Sequence, residues 1–391
     1  MPNSQPNIQS GSTAPLPLTL YIHLPWCLRK CPYCDFNSHA ISTIPESDYI
    51  DALTCDLESA LPQIWGRKIR SIFFGGGTPS LFSSEGLDRI IRMVRTLIPL
   101  DPFAEITLEA NPGAIEGQKF REFPELGINR LSLGIQSFDD AKLQSIGRIH
   151  GGAEARLAAE LAAQTFPNFN LDLIYGLPGQ TVEEALADVK TACDFSPTHL
   201  SCYQLTLEPN TAFGHTPPRN LPDEDESCAM QENIENRLRA EGFDHYETSA
   251  FARNGRECGH NLNYWQFGDY LGIGAGAHSK LSFHDRILRQ MRIKHPRHYM
   301  ASALTARPVA EERTVGAADL PVEFMMNALR LTEGVEARLF IERTGLPLVL
   351  VQKPLLEARA RGLMTRSELR LQPTLAGQRF LNDLLALFLA Q

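Results

Sequence analysis

The chain has little of what would place it outside ordinary globular proteins. Only 8 of its 391 residues are cysteine, too few for a disulfide framework at this length. Basic residues are outnumbered, 37 Lys and Arg against 46 Asp and Glu, and the net charge of -9 argues against a broad nucleic-acid footprint. No apolar run approaches bilayer length; Leu384 to Ala390 is among the longest, so no integral membrane segment is expected. Residues 1–17 lack both a basic start and an apolar secretion core, and their Pro, Ser, Asn and Gln content predicts a disordered tail. A cytoplasmic protein is expected.

What is present is a concentration of thiols. Cys27, Cys31 and Cys34 follow a short apolar run, Leu18 to Leu24, at spacings of four and three. Thiolates are soft ligands selected by iron–sulfur clusters. Three of them on a four-iron cluster would leave one iron open. Spacing does not name the metal, however: a zinc knuckle completed by His23 or His39, or three inert core thiols, fits the same residues.

From residue 18 to about 210, apolar segments alternate with helical patterns. Strands are expected at Leu18–Leu24, Ile69–Phe74, Glu105–Ala110, Arg130–Ile135, Asn170–Tyr175 and Leu200–Leu207. Between the first two, Ile50, Leu53, Leu57 and Leu61 recur at helical spacing. Six βα units imply a parallel sheet, either doubly wound or an incomplete barrel. Each strand runs into a distinctive segment: the cysteine loop, Gly75-Gly76-Gly77-Thr78-Pro79, Glu109-Ala110-Asn111-Pro112, Gly134-Ile135-Gln136-Ser137, Gly176-Leu177-Pro178-Gly179 and Glu208-Pro209-Asn210. Ligand-bearing loops after nearly every strand are a barrel habit, whereas a doubly wound sheet gathers them at one switch point. The expected fold is therefore α/β, an open (β/α)6 partial TIM barrel over 18–245. A β-rich extension should follow over 246–315, with a hairpin at Lys280–Lys294, and then a mostly helical, winged-helix-like domain over 316–391 with a short strand at Leu369–Leu371.

Taken singly, the polar strand-end residues Glu109, Gln136, Arg148 and Asp172 are as readily structural as functional, and the glycines mark a tight turn as easily as a ligand cradle. In combination, Cys-x3-Cys-x2-Cys with Tyr33 before the last cysteine and the Gly-Gly-Gly-Thr-Pro strand end resembles the radical S-adenosylmethionine superfamily. Tyr21 to Cys27, Cys34 to His39, Gly147-Arg148-Ile149-His150 and Asn170 to Pro178 resemble its oxygen-independent coproporphyrinogen oxidase-like branch. Within that branch the chain is more similar to the heme chaperones than to the true oxidases. Phe36 stands where an oxidase has a further cysteine, the N-terminal segment is short, and His260-Asn261-Leu262-Asn263-Tyr264-Trp265 fits the His-Asn-x-x-Tyr-Trp pattern linked with heme.

The resemblance implies a [4Fe-4S] cluster on Cys27, Cys31 and Cys34. It implies S-adenosylmethionine among Tyr21, Tyr33, Gly76, Gly77, Thr78, Glu109, Gln136, Arg148 and Asp172, and heme ligated by His260. The partners it implies are heme and a heme-acceptor protein, with coproporphyrinogen dehydrogenase as the alternative function. Imidazole is a common axial ligand to heme iron, and aromatic neighbours suit an apolar macrocycle. His260 can equally be a loop histidine with a satisfied hydrogen bond. The remaining cysteines read as free thiols, although Cys258 lies close enough to His260 to assist heme attachment. Arg286, Arg289, Arg292 and Lys294 of the hairpin read as a solvated basic face.

Overall fold

A computed structural model describes residues 16–113 and 119–389. The tail expected over 1–17 therefore lies, up to residue 15, outside the described residues.

Twelve strands make one sheet. In chain order they are β1 (Leu18–Leu24), β2 (Ile69–Gly76), β3 (Leu100–Ala110), β4 (Arg130–Gln136), β5 (Phe169–Tyr175), β6 (His199–Gln204), β7 (Asp244–Glu247), β8 (Ala250–Ala252), β9 (Asp269–Ile273), β10 (His278–Ser282), β11 (Ile287–Arg292) and β12 (Val309–Thr314). Their lateral order is β12-β11-β10-β9-β1-β2-β3-β4-β5-β6-β8-β7. The first six lie side by side in sequence order, each parallel to the next. A doubly wound sheet reverses its order at a switch point; this one does not, so the barrel topology is the one adopted. The sheet stays open, ending at β12 and β7.

The strands form where alternating residues can be buried on both faces. β1 keeps Leu18, Leu20, Ile22 and Leu24 fully buried on one side while Thr19, Tyr21 and His23 point to the other. The outward face meets helices α1 (Glu46–Ala60), α2 (Ser84–Leu97), α3 (Gly152–Thr165), α4 (Val182–Asp194) and α5 (Glu224–Ala240). Ser83 caps α2, Thr181 caps α4 and Asp223 caps α5, each accepting from a backbone N–H one turn on.

The extension differs from a simple appendage. After α6 (Gly259–Trp265), β9 adds a seventh parallel strand against β1, and β10 to β12 continue the sheet antiparallel from it. Helix α7 (Pro296–Ala303) packs back on α1. The hairpin is not a solvated basic face. Arg292 is 1% exposed and ion-paired with the equally buried Asp56 of α1 at 3.1 Å, while Arg289 bonds Tyr270 and Glu323. Only Arg286 and Lys294 of the four are exposed. Pairing a guanidinium with a carboxylate offsets the cost of burying both, and periodicity cannot reveal that a basic strand residue has a partner more than 200 positions away.

The C-terminal helices gather a second core around Phe324, Phe340, Leu355 and Leu384. A two-residue strand, Arg370–Leu371, pairs there with Val335–Glu336. No helix among the described residues is long and apolar enough to cross a membrane.

Candidate functional site

The cysteine loop opens where β1 to β6 end. Trp26–Cys27 forms a short parallel ladder with His39–Ala40, which closes the loop at its base. Pro32 accepts a bond from Phe213 N–H at 3.0 Å, and Tyr33 packs near Ile146, Ile174, Leu177 and Phe213. Cys27 is buried, and Cys31 and Cys34 are partly exposed; all three are free thiols. Burial raises the thiol pKa of Cys27 and of Cys34, the Ser38 hydroxyl opposing the rise in both.

The glycine segment lies directly against this loop. Gly77 N–H donates to Leu24 O and Thr78 N–H to Trp26 O, at 2.8 and 2.7 Å. A Cβ at Gly77 would sit 2.3 Å from Trp26 O, so only glycine lets these two chain segments touch. Thr78 Oγ1 in turn accepts from Asn111 Nδ2 at 2.8 Å. Asn111 Oδ1 accepts from Arg148 Nη2 at 2.6 Å, and Arg148 Nη1 lies 3.8 Å from Cys31 Sγ. Thus the glycine segment, Thr78, Asn111, Arg148 and a cysteine form one continuous set of contacts. Asn111 is its central member, a role its place in the Asn-Pro strand end did not disclose.

Deeper in, Glu109 accepts from Gly76 N–H at 3.3 Å and lies beside Tyr21. Burial, with the Asp172 carboxylate adding to it, pushes Glu109 up to about 8. Asp172 accepts from Ser132 Oγ and Asn170 Nδ2, at 3.2 and 2.7 Å, and is also raised by burial. Gln136, which ends β4, adopts φ 69, a left-handed backbone for a non-glycine residue and a common mark of a functional strand end. Tyr21, the glycine segment, Thr78, Glu109, Arg148 and Tyr33 therefore gather at one mouth, with Asp172 one layer below.

His260 lies deeper, its ring centroid 6.4 Å from that of Tyr21. It is not in a loop but on α6, which packs on β1, β2 and β9. Its Nδ1 bonds Ser71 Oγ at 2.9 Å, near the start of β2, and its ring faces Phe73 and Tyr264. It is 1% exposed, and burial lowers its pKa to about 3. Nε2 is buried with no partner. Glu105 holds the start of this helix, accepting from the backbone N–H of Gly259 and His260 at 3.3 and 3.2 Å. Cys258 is buried against the same carboxylate, and its pKa is pushed up to about 12. It is an inert thiol in this packing.

Known families account for this arrangement. A model described as the radical SAM superfamily matches residues 21–192, and one described as the HemN C-terminal domain matches 316–380. The heme chaperone HemW of Escherichia coli (strain K12) is 49% identical over 378 residues, covering 96% of this chain and 99% of that protein. The chain belongs to the HemW family. HemW of Haemophilus influenzae is 48% identical over 96% of this chain and 98% of its own, and HemW of Bacillus subtilis 34% identical over 95% and 99%. Coproporphyrinogen III oxidase (HemN) from Escherichia coli superposes with a TM-score of 0.82 at 22% identity, covering 96% of this chain and 91% of that one, and so shares the fold of this chain.

Radical SAM membership implies a [4Fe-4S] cluster and S-adenosylmethionine, and the donor set suits the first. Among the described residues no three His, Cys, Asp or Glu side chains converge as one metal ion would need. A four-iron cluster presents a separate iron to each thiolate, so its ligands need no such convergence. The histidines a zinc knuckle would recruit are engaged. His23 donates through Nε2 to Asn37 O and accepts at Nδ1 from Tyr21 OH, while His39 Nε2 is bonded to Asn37 Oδ1.

Proposed function

We propose that this chain is a heme chaperone on a radical SAM scaffold: it binds heme and passes it to an acceptor protein. The observation carrying this reading is its near-full-length similarity to HemW proteins, together with three free thiols at the barrel mouth. Cys27, Cys31 and Cys34 would hold the [4Fe-4S] cluster, whose remaining iron supplies a site for S-adenosylmethionine and its reductive cleavage. Arg148 places a cation beside Cys31, which favours an anionic thiolate-ligated cluster, and guanidinium also suits a methionyl carboxylate. Gly76, Gly77 and Thr78 present backbone at close range. Glu109, Gln136 and Asp172 provide acceptors for amino and ribose hydroxyl groups, with Tyr21 and Tyr33 as walls. Eight free thiols and such a cluster fit a reducing cytoplasm.

Heme ligation by His260 would use Nε2, the nitrogen left without a partner. With the ring 1% exposed, a macrocycle reaches it only once the residues covering it, on α6 or on the Tyr21 and Phe73 side, move aside. Phe36, in place of the oxidase cysteine, weighs against porphyrinogen decarboxylation.

Anaerobically reconstituted protein should bind hemin and transfer it to an apo-hemoprotein, and His260→Ala should bind at least several-fold more weakly. Cys31→Ala should lose its iron and sulfide. A wild-type protein that ignores hemin, or that turns coproporphyrinogen III into protoporphyrinogen in the presence of reductant and S-adenosylmethionine, overturns the chaperone reading.

A further inference from the structure

Asn37 stands three residues beyond the last cysteine and uses its whole amide. Nδ2 donates to Ala275 O at 2.9 Å and to Lys294 O at 2.8 Å, while Oδ1 accepts from His39 Nε2 at 3.2 Å. Its own carbonyl accepts from His23 Nε2 at 2.8 Å. Four chain segments therefore meet at one residue: the end of β1, the close of the cysteine loop, the turn after β9 and the segment after β11.

The receiving surface is built to fit. Gly276 adopts φ +78, and a Cβ there would lie 2.5 Å from Asn37 Nδ2. The carbonyl of Ala275 is fixed from behind, since Tyr49 OH accepts from Ala275 N–H at 2.9 Å and donates to His23 O at 2.8 Å. Gly274 N–H donates to the buried Asp56 carboxylate, which also holds Arg292 and Tyr299. The two carbonyls that take the amide protons are thus anchored to α1 and β11 through a buried ion pair. On the loop side, Ser38 follows Asn37 directly, and its hydroxyl lies 3.7 Å from Cys34 Sγ. A shift of Asn37 moves that contact and the His39–Ala40 ladder strand that closes the loop against Cys27.

We propose that Asn37 is a positioning residue for the cluster, a latch that makes the placement of Cys34 and the loop depend on the strands following His260. The inference rests on the reading that Cys27, Cys31 and Cys34 ligate a [4Fe-4S] cluster. Outer hydrogen-bond partners orient metal ligands and tune them, and their loss typically costs 10–100-fold in metal affinity or activity. Asn37 touches no reacting group in this arrangement and acts only through the loop.

The test uses the full chain, reconstituted anaerobically, as wild type, Asn37→Asp and Gly276→Ala. Asn37→Asp keeps the side-chain volume and removes both donors; Gly276→Ala pushes on the amide from the opposite side. Iron and sulfide per chain, the EPR spectrum of the reduced cluster with and without S-adenosylmethionine, and the rate of iron loss to a chelator are measured. Expected are a melting temperature within a few degrees of wild type for Asn37→Asp and a lower one for Gly276→Ala, whose left-handed backbone strains any side chain, together with an altered EPR response to S-adenosylmethionine in both variants and iron loss faster by about tenfold. Wild-type protein without iron and sulfide overturns the cluster reading itself. Wild type that loads while both variants match it in EPR and chelator rate overturns the latch alone. Variants that melt early yet show the wild-type spectrum also overturn it, because Asn37 is then a folding residue only.

Discussion

The two ends of the barrel are both polar, and they use polarity in opposite ways. At the mouth, thiols and a strand-end carboxyl are left with spare capacity: Cys31 and Cys34 are partly exposed, and Glu109 accepts from Gly76 N–H at a long 3.3 Å. At the floor nearly every polar group is consumed. Asn170 alone links four others, donating to Ser132 and Asp172 and accepting from His199 and Ser201. His199 passes the network to Tyr246, whose hydroxyl accepts from Cys258 N–H. Buried groups that satisfy one another hold a structure in one arrangement, whereas groups left unsatisfied are available to a ligand. Among the described residues there, His260 Nε2, Arg130 Nε and Thr107 Oγ1 are buried without a hydrogen-bond partner, and the first of these is the atom the heme reading requires.

The sharpest way to break this contrast is Asn170→Ala. Each buried partner it strands costs about 1–3 kcal/mol, so chemical denaturation should show a loss of about 3 kcal/mol or more. Cys31→Ala at the mouth should barely alter the same curve. Equal destabilisation by the two would remove the distinction between a bonded floor and a receptive mouth.

Glu109 gives a second, pH-dependent contrast. Its folded pKa is raised to about 8 by burial and by Asp172, so between its unfolded value near 4.5 and 8 the folded state binds the extra proton. Stability attributable to this group is therefore full below the unfolded value, declines as pH rises toward 8 and then levels off. Glu109→Gln should flatten the decline between pH 5 and 8 in urea titrations of the protein without cofactors. An unchanged slope would mean that the carboxyl is ionised and compensated in the folded protein.

The most local effect is expected from Glu105→Ala. Removing the acceptor at this helix start costs about 1 kcal/mol, to which the loss of its 4.0 Å pairing with the buried Arg130 adds, and the change on α6 should appear as faster amide exchange from Gly259 to Asn263. If the cap restrains the helix, this variant should also take up hemin faster than wild type. Slower or unchanged uptake would indicate that heme arrives without displacement of α6.

Much of this protein was legible in one dimension. The six strands follow from apolar runs that feed distinctive segments, and all six form near their expected positions, since burial on both faces of a parallel strand demands such runs. Cysteine spacing and the glycine segment stood out because thiolate ligation and close backbone approach restrict residue choice so severely. The exposed-looking hairpin misled for the complementary reason. Arg292 is basic in any local window, and only the fold reveals Asp56 across from it. Asn111 and Asn37 were equally silent, because an amide is ordinary until its partners arrive from other strands.

The sequence by itself determined the order of strands and helices, the three thiols and the glycine contact, because these depend on periodicity and on residue types that few environments accept. The tertiary structure decided which polar groups are spent and which are free. It put His260 on a capped helix at the barrel floor rather than in an open loop, and it tied Asn37 to two carbonyls more than 200 residues away. Hydrogen bonds and ion pairs are short-ranged and directional, so their partners are set by how distant segments pack, and local sequence carries no trace of that.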